Sequence, residues 1–175
     1  MREIKRQIKS TQNMKQITKA MEMVAAAKLK RSQNAALAAR PYADKLKEVI
    51  SSIATGSSSV KHPMLQSRDI KRTAYLVITS DRGLAGGLNS NLLRLVLNQI
   101  RSRHKSEQEY ALYVVGRRGR DFFKRRNMAV AEEVTGMSDS PTFADIKPLA
   151  AAAVKGFEDG TYDELVICYN VFNNA

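Results

Sequence analysis

The residues of this chain best suited to bind a ligand form one run, Ser80 to Asn89, which reads SDRGLAGGLN. The run follows an apolar segment typical of a buried strand and precedes a helical pattern, and ligands of open α/β sheets bind in the crevice at that junction. A helix N-terminus at such a point also attracts phosphate. A nucleotide site is therefore one hypothesis for this run, with Gly83, Gly86 and Gly87 as the residues of its turn.

The glycine spacing of this run argues against a dinucleotide site. It matches neither G-x-G-x-x-G nor G-x-x-x-x-G-K-[ST], so neither the pyrophosphate turn nor a phosphate-binding lysine is supplied. An NADP-dependent enzyme stays as an alternative, because Arg117 and Arg118 after the second apolar run are suited to a 2′-phosphate. The glycines are explained more simply as residues that permit a tight turn between a strand and a helix.

Other chemistry has little support in the sequence. Cys168 is the single cysteine, so the chain has no internal disulfide framework. Cys168, His62 and His104 are the only Cys and His residues, and no metal-ligand cluster can be assembled from them. No G-x-S-x-G elbow follows a strand. We therefore expect no catalytic residue, no metal site and no cofactor, and a protein that is not itself an enzyme.

The second half of the chain alternates between strand and helix patterns. Alternation of this kind predicts βαβ units and a mostly parallel sheet, which gives an α/β fold for residues 73–175. Residues 57–72, which directly follow Gly56, contain the Ser and Pro residues typical of a linker. The predicted elements are strands at 73–79, 110–115, 128–134 and 164–169, and helices at 89–104, 118–126 and 142–157.

Residues 1–56 predict one long helix, because Gly56 is the first glycine of the chain. At about 1.5 Å per residue such a helix spans about 80 Å, more than a body of about a hundred residues can cover. Pro41 predicts a bend or the start of a new helix. A narrow apolar stripe at steps of three and four residues resembles a coiled-coil seam and calls for a helical partner; it includes Ile4, Ile8, Met14, Ile17, Met21 and Val24.

The positive charge of the chain is concentrated in its first part. The net charge is +12, and residues 1–72 carry 16 Lys and Arg against 5 Asp and Glu, whereas residues 73–175 carry 13 against 12. A basic helix favours an acidic partner, which leaves a nucleic-acid-binding protein as a further alternative. That alternative is weakened because Tyr42 is the only aromatic residue before residue 73 and gives no stacking platform. No apolar run is long enough for a membrane span.

Two long motifs identify a family resemblance. Residues 17–27 read ITKAMEMVAAA and residues 80–89 read SDRGLAGGLN, and together they resemble the γ subunit of F-type rotary ATP synthases. Shorter pieces at 40–43, 61–63 and 134–137 are also similar to the family, so that the resemblance extends over essentially the whole chain. It implies that residues 1–56 are half of an antiparallel coiled coil and that residues 73–175 form a Rossmann-like domain.

The resemblance also implies a function. The long helix would be the rotor shaft inside a ring of α and β subunits, and the domain would lie beside the ε subunit and the ring of c subunits. Nucleotide chemistry would take place on the β subunits, membrane association would be indirect and on the cytoplasmic side, and nucleic acid would not be a partner. By their motif positions, Arg6 and Arg82 are expected to contact the ring of α and β subunits through forked guanidinium groups.

The resemblance covers only the N-terminal part of the family pattern. Family members continue past the position of Ala175 into more of the sheet and a C-terminal helix that completes the shaft. This polypeptide alone is therefore expected to expose its apolar stripe and to self-associate.

Overall fold

The computed structural model describes residues 2–56, 62–66, 68–138 and 140–172. The chain divides into two compact units, Met1–Val60 and Lys61–Ala175. The expected linker at 57–72 falls partly outside the described residues, as does the end of the chain at 173–175.

The first unit is built on one helix, α1, which runs from Arg2 to Gly56 over 55 residues. Its sequence is rich in alanine and in straight-chain residues, which lose little freedom in a helix. The helix continues through Pro41, so the expectation that a new helix starts there is wrong. A proline removes one backbone hydrogen bond, and the uninterrupted helix formers on both sides of Pro41 carry the helix past that loss.

The apolar stripe of α1 is exposed along its length. Its members range from Ile8, which is 52% exposed, to Met21, which is 67% exposed. Fully burying one such side chain is worth about 1.5–3 kcal/mol. Burial of this stripe against another helix would therefore be strongly favourable. The other members of the stripe are Ile4, Met14, Ile17 and Val24.

The second unit contains a parallel sheet, which confirms the predicted fold class. Within the described residues the sheet has four strands in the order β3-β2-β1-β4, and every neighbouring pair is parallel. Strand β2 is buried on both faces, as expected for a near-continuous apolar run. The strands are β1 Thr73–Ile78, β2 Tyr110–Val115, β3 Val130–Val134 and β4 Glu164–Cys168.

Three helices connect these strands. Each helix begins and ends within two residues of its predicted bounds. Strand β3 begins two residues later than predicted. A register irregularity between β2 and β3 lies beside Leu112 and Tyr113, where β3 enters the sheet. The helices are α2 Leu88–Arg103, α3 Arg117–Lys124 and α4 Phe143–Glu158, and short 3-10 helices lie at Pro63–Leu65 and Glu107–Glu109.

The sheet has a hydrophobic core on each face. On one face, Tyr75, Val77 and Leu112 pack with residues of α2 and with Phe123 of α3. On the other face, Ala74, Ala111 and Tyr113 pack with Leu149 and Phe157 of α4. The result is a layered arrangement of helix, sheet and helix. None of the described helices combines the length and hydropathy that a bilayer crossing requires.

The segment that leads into β1 is fixed to the far end of α4. The Asp163 Oδ2 atom accepts hydrogen bonds from the backbone N–H groups of Lys71 and Arg72, both at 3.0 Å. The Arg68 guanidinium lies 4.5 Å from the centre of the Phe157 ring and donates to the Phe157 carbonyl at 2.7 Å. These contacts determine where β1 enters the sheet.

Candidate functional site

The SDRGLAGGLN loop lies between the end of β1 and the start of α2, at the carboxyl edge of the sheet. Its first and last residues are joined by two hydrogen bonds. The Ser80 N–H donates to Asn89 Oδ1 at 3.0 Å, and Asn89 Nδ2 donates to Ser80 Oγ at 2.8 Å. Ser80 Oγ in turn donates to the Arg82 carbonyl at 2.6 Å. The backbone of Arg82 is therefore fixed by its neighbours.

Asp81 connects this loop to the next two loops of the same edge. Its Oδ1 atom accepts from the Arg117 N–H at 2.9 Å, and its Oδ2 atom accepts from the Gly136 N–H at 2.9 Å. Burial opposes ionisation of this carboxyl, but the hydrogen bonds from Gly136 and Arg117 and the positive charge of Arg117 outweigh it and lower the pKa of Asp81. One ionised carboxylate thus ties together the loops that follow β1, β2 and β3.

The Arg82 side chain is exposed and makes no hydrogen bond or ion pair within the described residues. Its guanidinium therefore does not anchor the glycine turn, a role that belongs to Ser80, Asp81 and Asn89. Arg82 is presented to solvent on a backbone that is held in place. Such a residue is suited to a contact with another molecule.

The glycines of the motif permit a tight turn. Gly86 has φ +53°, a conformation that costs a residue with a Cβ atom free energy. Gly83 lies under the Arg118 guanidinium, and a Cβ atom at this position would approach Arg118 Nη2 to 1.8 Å. Gly87 is the N-cap residue of α2. Between them, Leu84 has φ 60° and a fully exposed side chain, so the turn directs an apolar group into solvent.

A cleft of about 250 Å³ lies between this loop and α3. Its lining includes Gly83 and Leu84 from the loop and Arg118, Phe122 and Arg125 from α3 and the residue that follows it. The Arg118 guanidinium occupies the space over Gly83 that a pyrophosphate would need to approach the backbone closely. This geometry gives no support to the NADP alternative, which used Gly83, Gly86, Gly87, Arg117 and Arg118.

On α1, Arg6 is exposed and has no hydrogen bond or ion pair among the described residues. Arg6 belongs to the Met1–Val60 unit and Arg82 to the Lys61–Ala175 unit. The two arginines chosen from the motifs are therefore carried by different units.

The histidines and the cysteine have structural surroundings. His62 Nδ1 accepts from the Met64 N–H at 3.2 Å and caps a 3-10 helix. His104 is nearly buried, with its Nε2 atom 2.9 Å from the Tyr75 hydroxyl. Burial, followed by the charge of Arg103, lowers the pKa of His104.

Cys168 is half-buried at the end of β4, and burial raises the pKa of its thiol. Among the described residues, no group of three or more His, Cys, Asp or Glu is placed to hold a metal ion.

Sequence reasoning missed two features of this edge. It did not assign a role to Asp81, although an acidic residue directly after a strand and before a glycine turn is a recognisable signal. It also gave Arg118 a role only in the NADP alternative and gave none to Arg125. The cleft depends on the packing of α3 beside the glycine loop, and the local sequence contains no signal for that packing.

Comparison with known proteins gives concordant results. A family model described as ATP synthase matches residues 1–175. The ATP synthase gamma chain of Brevibacillus brevis is 62% identical over 174 residues, which are 99% of this chain and 61% of that protein. A chain of the cryo-EM structure titled Tetrahymena thermophila mitochondrial ATP synthase, central stalk and c-ring, has a TM-score of 0.63 and 28% identity, over 90% of this chain and 66% of that chain. The chain thus spans about three fifths of the length of the curated relative it matches.

Proposed function

Because the chain belongs to the ATP synthase gamma-chain family, we propose that it acts in the central rotor of an F-type ATP synthase. In this role it couples proton-driven rotation to conformational change at the catalytic sites of the β subunits. The observation that carries the proposal is the combination of 62% identity to a gamma chain with a 55-residue helix whose apolar stripe is exposed.

The exposed stripe supports the shaft assignment. A narrow stripe at steps of three and four residues fits a coiled-coil partner, which buries apolar side chains between two helices. Successive members of the stripe from Met14 through Ile17 to Val24 are three or four residues apart, and each of them is more than half exposed. We propose that an antiparallel helix completes the shaft along this stripe.

The charge of α1 supports an acidic surrounding. Residues 1–72 carry most of the net positive charge of the chain. Attraction between these side chains and acidic loops of the ring would be strong at contact and would fade over about 8 Å at physiological salt. A contact that forms and breaks during rotation needs a short range of this kind.

Arg82 and Arg6 are the proposed points of contact with the ring. Both guanidinium groups are exposed and unpaired among the described residues, so both can fork onto a carboxylate or a carbonyl. The fixed backbone at Arg82 lowers the entropy lost when its side chain binds. Arg82 is therefore the better defined of the two.

The remaining parts of the proposal concern partners and location. The partners are the α and β subunits, the ε subunit and the c-subunit ring, and the chain contributes no catalytic residue and holds no cofactor. Its attachment to the membrane is indirect, on the cytoplasmic side, through the other subunits.

Reconstitution with α and β subunits tests the rotor assignment. ATP hydrolysis by the assembled complex is measured with the full-length protein, with its Arg82→Ala variant and with its Arg94→Ala variant, which removes another exposed charge, on α2. Loss of a charge-assisted contact worth about 1.5–3 kcal/mol corresponds to about a tenfold or larger loss of binding or of coupled activity. The control is expected to keep full activity.

Two results would count against the proposal. Failure of α and β subunits to co-purify with the full-length protein would exclude the rotor assignment. Equal activity of Arg82→Ala and Arg94→Ala complexes would remove Arg82 from the contact surface and leave the assignment itself intact.

A further inference from the structure

A pocket of about 300 Å³ lies at the amino edge of the sheet, opposite the edge that carries the glycine loop. The end of α2, the turn before β2 and the segment after α3 surround this amino-edge pocket. Its apolar wall consists of Leu97 and Ile100, which are buried, and of the half-buried Met128. The volume is at the small end of the range for small-molecule sites, and an apolar wall beside a few polar groups is typical of them.

Three cations also line the amino-edge pocket. Arg101 lies in the last turn of α2, Lys105 follows the C-cap residue of that helix, and Arg126 follows α3. The side chains of Arg101 and Lys105 make no hydrogen bond or ion pair with any residue that the structure describes. The Arg126 guanidinium lies 3.6 Å from the centre of the Phe122 ring and donates to the Phe122 carbonyl at 3.1 Å. These two contacts position Arg126 and leave its other N–H groups available.

The acidic groups at this edge do not neutralise the three cations. Among the described residues that line the pocket, Glu107 is the only acidic one. Glu109 does not line it, and the Glu109 carboxylate accepts from the Lys105 N–H at 2.9 Å and from the Ser106 hydroxyl at 3.2 Å. Three cations against one carboxylate leave two positive charges in excess. The pocket therefore favours an anion with more than one negative charge.

The Tyr110 hydroxyl supplies a hydrogen-bond donor for such an anion. Tyr110 lines the pocket and is only 9% exposed, and its hydroxyl has no hydrogen-bond partner in the part of the chain that the structure describes. Burial, followed by the charge of Glu107, raises the pKa of Tyr110, so this hydroxyl stays protonated at neutral pH. A nearly buried hydroxyl without a partner costs free energy, which an acceptor oxygen of a bound ligand would recover.

We propose that the amino-edge pocket binds a phosphate monoester that carries a short apolar or aromatic body. A phosphate monoester has about 1.5 to 2 negative charges at pH 7 and three acceptor oxygens. Arg101, Lys105 and Arg126 pair with the phosphate. The Tyr110 hydroxyl donates to one of its oxygens, and the body packs against the apolar wall. A lipid with a phosphate head group and a water-soluble phosphate ester share this chemistry. The inference does not depend on the proposed function.

NMR of the full-length protein with ¹³C-labelled methionine methyl groups measures the binding. The probes are phenyl phosphate as a water-soluble ester, dihexanoyl phosphatidic acid as a lipid, and inorganic phosphate as the head group alone. The Met128 methyl signal, assigned with Met128→Leu, should shift with the esters, whereas the signal of Met137, which packs on the other face of the sheet, should not. The ester that binds more tightly identifies the source of the ligand, and burial of its body should make it bind about tenfold or more tightly than inorganic phosphate.

Charge variants test which groups hold the phosphate. The test variant is Arg101→Gln/Lys105→Gln, because neither side chain has a partner among the described residues. The control is Lys5→Gln/Lys9→Gln, which removes the same charge at the same four-residue spacing from exposed positions on α1. The affinity for the tighter ester should fall about tenfold or more in the test variant and less than about twofold in the control. Tyr110→Phe keeps the net charge and should weaken binding several-fold, which gives a second test if circular dichroism shows the double variant to be unfolded.

Four outcomes would overturn the site. A Met128 signal that does not move with either ester at millimolar concentration would show that the pocket does not bind them. Equal weakening in the test and control variants would show that net charge alone attracts the anion. Equal affinity for inorganic phosphate and both esters would show that the apolar wall has no role. Unchanged affinity in Tyr110→Phe would show that the phosphate does not reach the hydroxyl.

Discussion

The Asp81 carboxylate joins two loops that lie 55 residues apart in the sequence, since its Oδ2 atom accepts a hydrogen bond from the Gly136 N–H at 2.9 Å. The other oxygen of the same carboxylate accepts from the Arg117 N–H at the same distance. These two bonds hold the carboxyl edge of the sheet in one arrangement. They also position the loop that presents Arg82 and Leu84.

Replacing Asp81 by asparagine is expected to destabilise the second unit. The amide of asparagine has one acceptor oxygen, so one of the two N–H groups loses its partner, at a cost of about 1–3 kcal/mol. Urea unfolding followed by circular dichroism measures the change. Asp159→Asn serves as the control, because the Asp159 side chain makes no hydrogen bond or ion pair among the described residues. Equal midpoints for the two variants would contradict the role of Asp81.

The lowered pKa of the Asp81 carboxyl predicts that the stability of the folded protein falls in acid. Its pKa is lower in the folded protein than the ordinary value of 3.8, so it contributes stability above that value and the contribution is lost as the pH falls through the folded pKa. The unfolding midpoint of the unchanged chain should therefore decrease more steeply below about pH 4 than that of Asp81→Asn. Parallel pH profiles for the two proteins would refute this assignment.

The lowered pKa of His104 predicts that stability also depends on pH nearer to neutrality. Its pKa is lowered from 6.5 in the folded protein, so the folded state binds fewer protons than the unfolded state. Stability is therefore complete above about pH 6.5 and decreases as the pH falls below it. The groups that face the ring include the Tyr75 hydroxyl, the Tyr110 ring, Arg103, Glu109 and Glu164.

Unfolding midpoints between pH 7.5 and 5.5 measure this dependence. In His104→Gln the slope below about pH 6.5 should become shallower, whatever the absolute stability of the variant. His62→Gln is the control, because the His62 side chain caps a short exposed helix. An unchanged slope in His104→Gln would assign the pH dependence to other groups.

Gly116 is expected to be intolerant of substitution. It has φ +94°, and a Cβ atom there would lie 2.2 Å from the Thr79 carbonyl oxygen, which is backbone and cannot rotate away. Gly160 also has a positive φ, +72°, but a Cβ atom at that position meets nothing within 4 Å. Gly160→Ala therefore includes only the conformational cost of about 1–2 kcal/mol, and Gly116→Ala adds a steric clash. Thermal unfolding should show a clearly larger loss for Gly116→Ala, and similar losses would mean that the clash is relieved.

The exposed stripe of α1 predicts self-association of the isolated chain. Sedimentation velocity should show an average mass that rises with concentration. Ile17→Glu places a charge in the stripe and should weaken association about tenfold or more, since a buried isoleucine contributes about 1.5–3 kcal/mol. Gln16→Glu adds the same charge at the neighbouring position outside the stripe and should have a small effect. A monomer at all concentrations would show that the stripe is not an association surface under these conditions.

The elements of this fold were predictable because each has a local signal. The apolar run at 110–115 is bounded by Glu109 and Gly116 and appears as β2 with the same bounds. The alanine-rich sequence before Gly56 contains a single proline and appears as α1. Of the two alternatives at Pro41, the start of a new helix was wrong, because a local rule about one residue was outweighed by the helix formers around it.

The arrangement of the site was less predictable because it depends on which strands are neighbours. The contact of Asp81 with Gly136 requires the order β3-β2-β1, and no local pattern encodes that order. The position of Arg118 over Gly83 likewise requires α3 to pack beside the glycine loop. The motif identified the loop, and the tertiary structure provided its supports and the cleft next to it.

The place of β1 inside the sheet has a consequence for exchange of its amide hydrogens. Strands β2 and β4 flank it on both sides, so its N–H groups become accessible to solvent only when a neighbouring ladder opens. Deuterium uptake should therefore be slow in 73–78, immediately before the segment that carries Arg82. A surface loop that begins at a slowly exchanging interior strand has a stiff base, and a force on its tip is passed to the middle of the sheet.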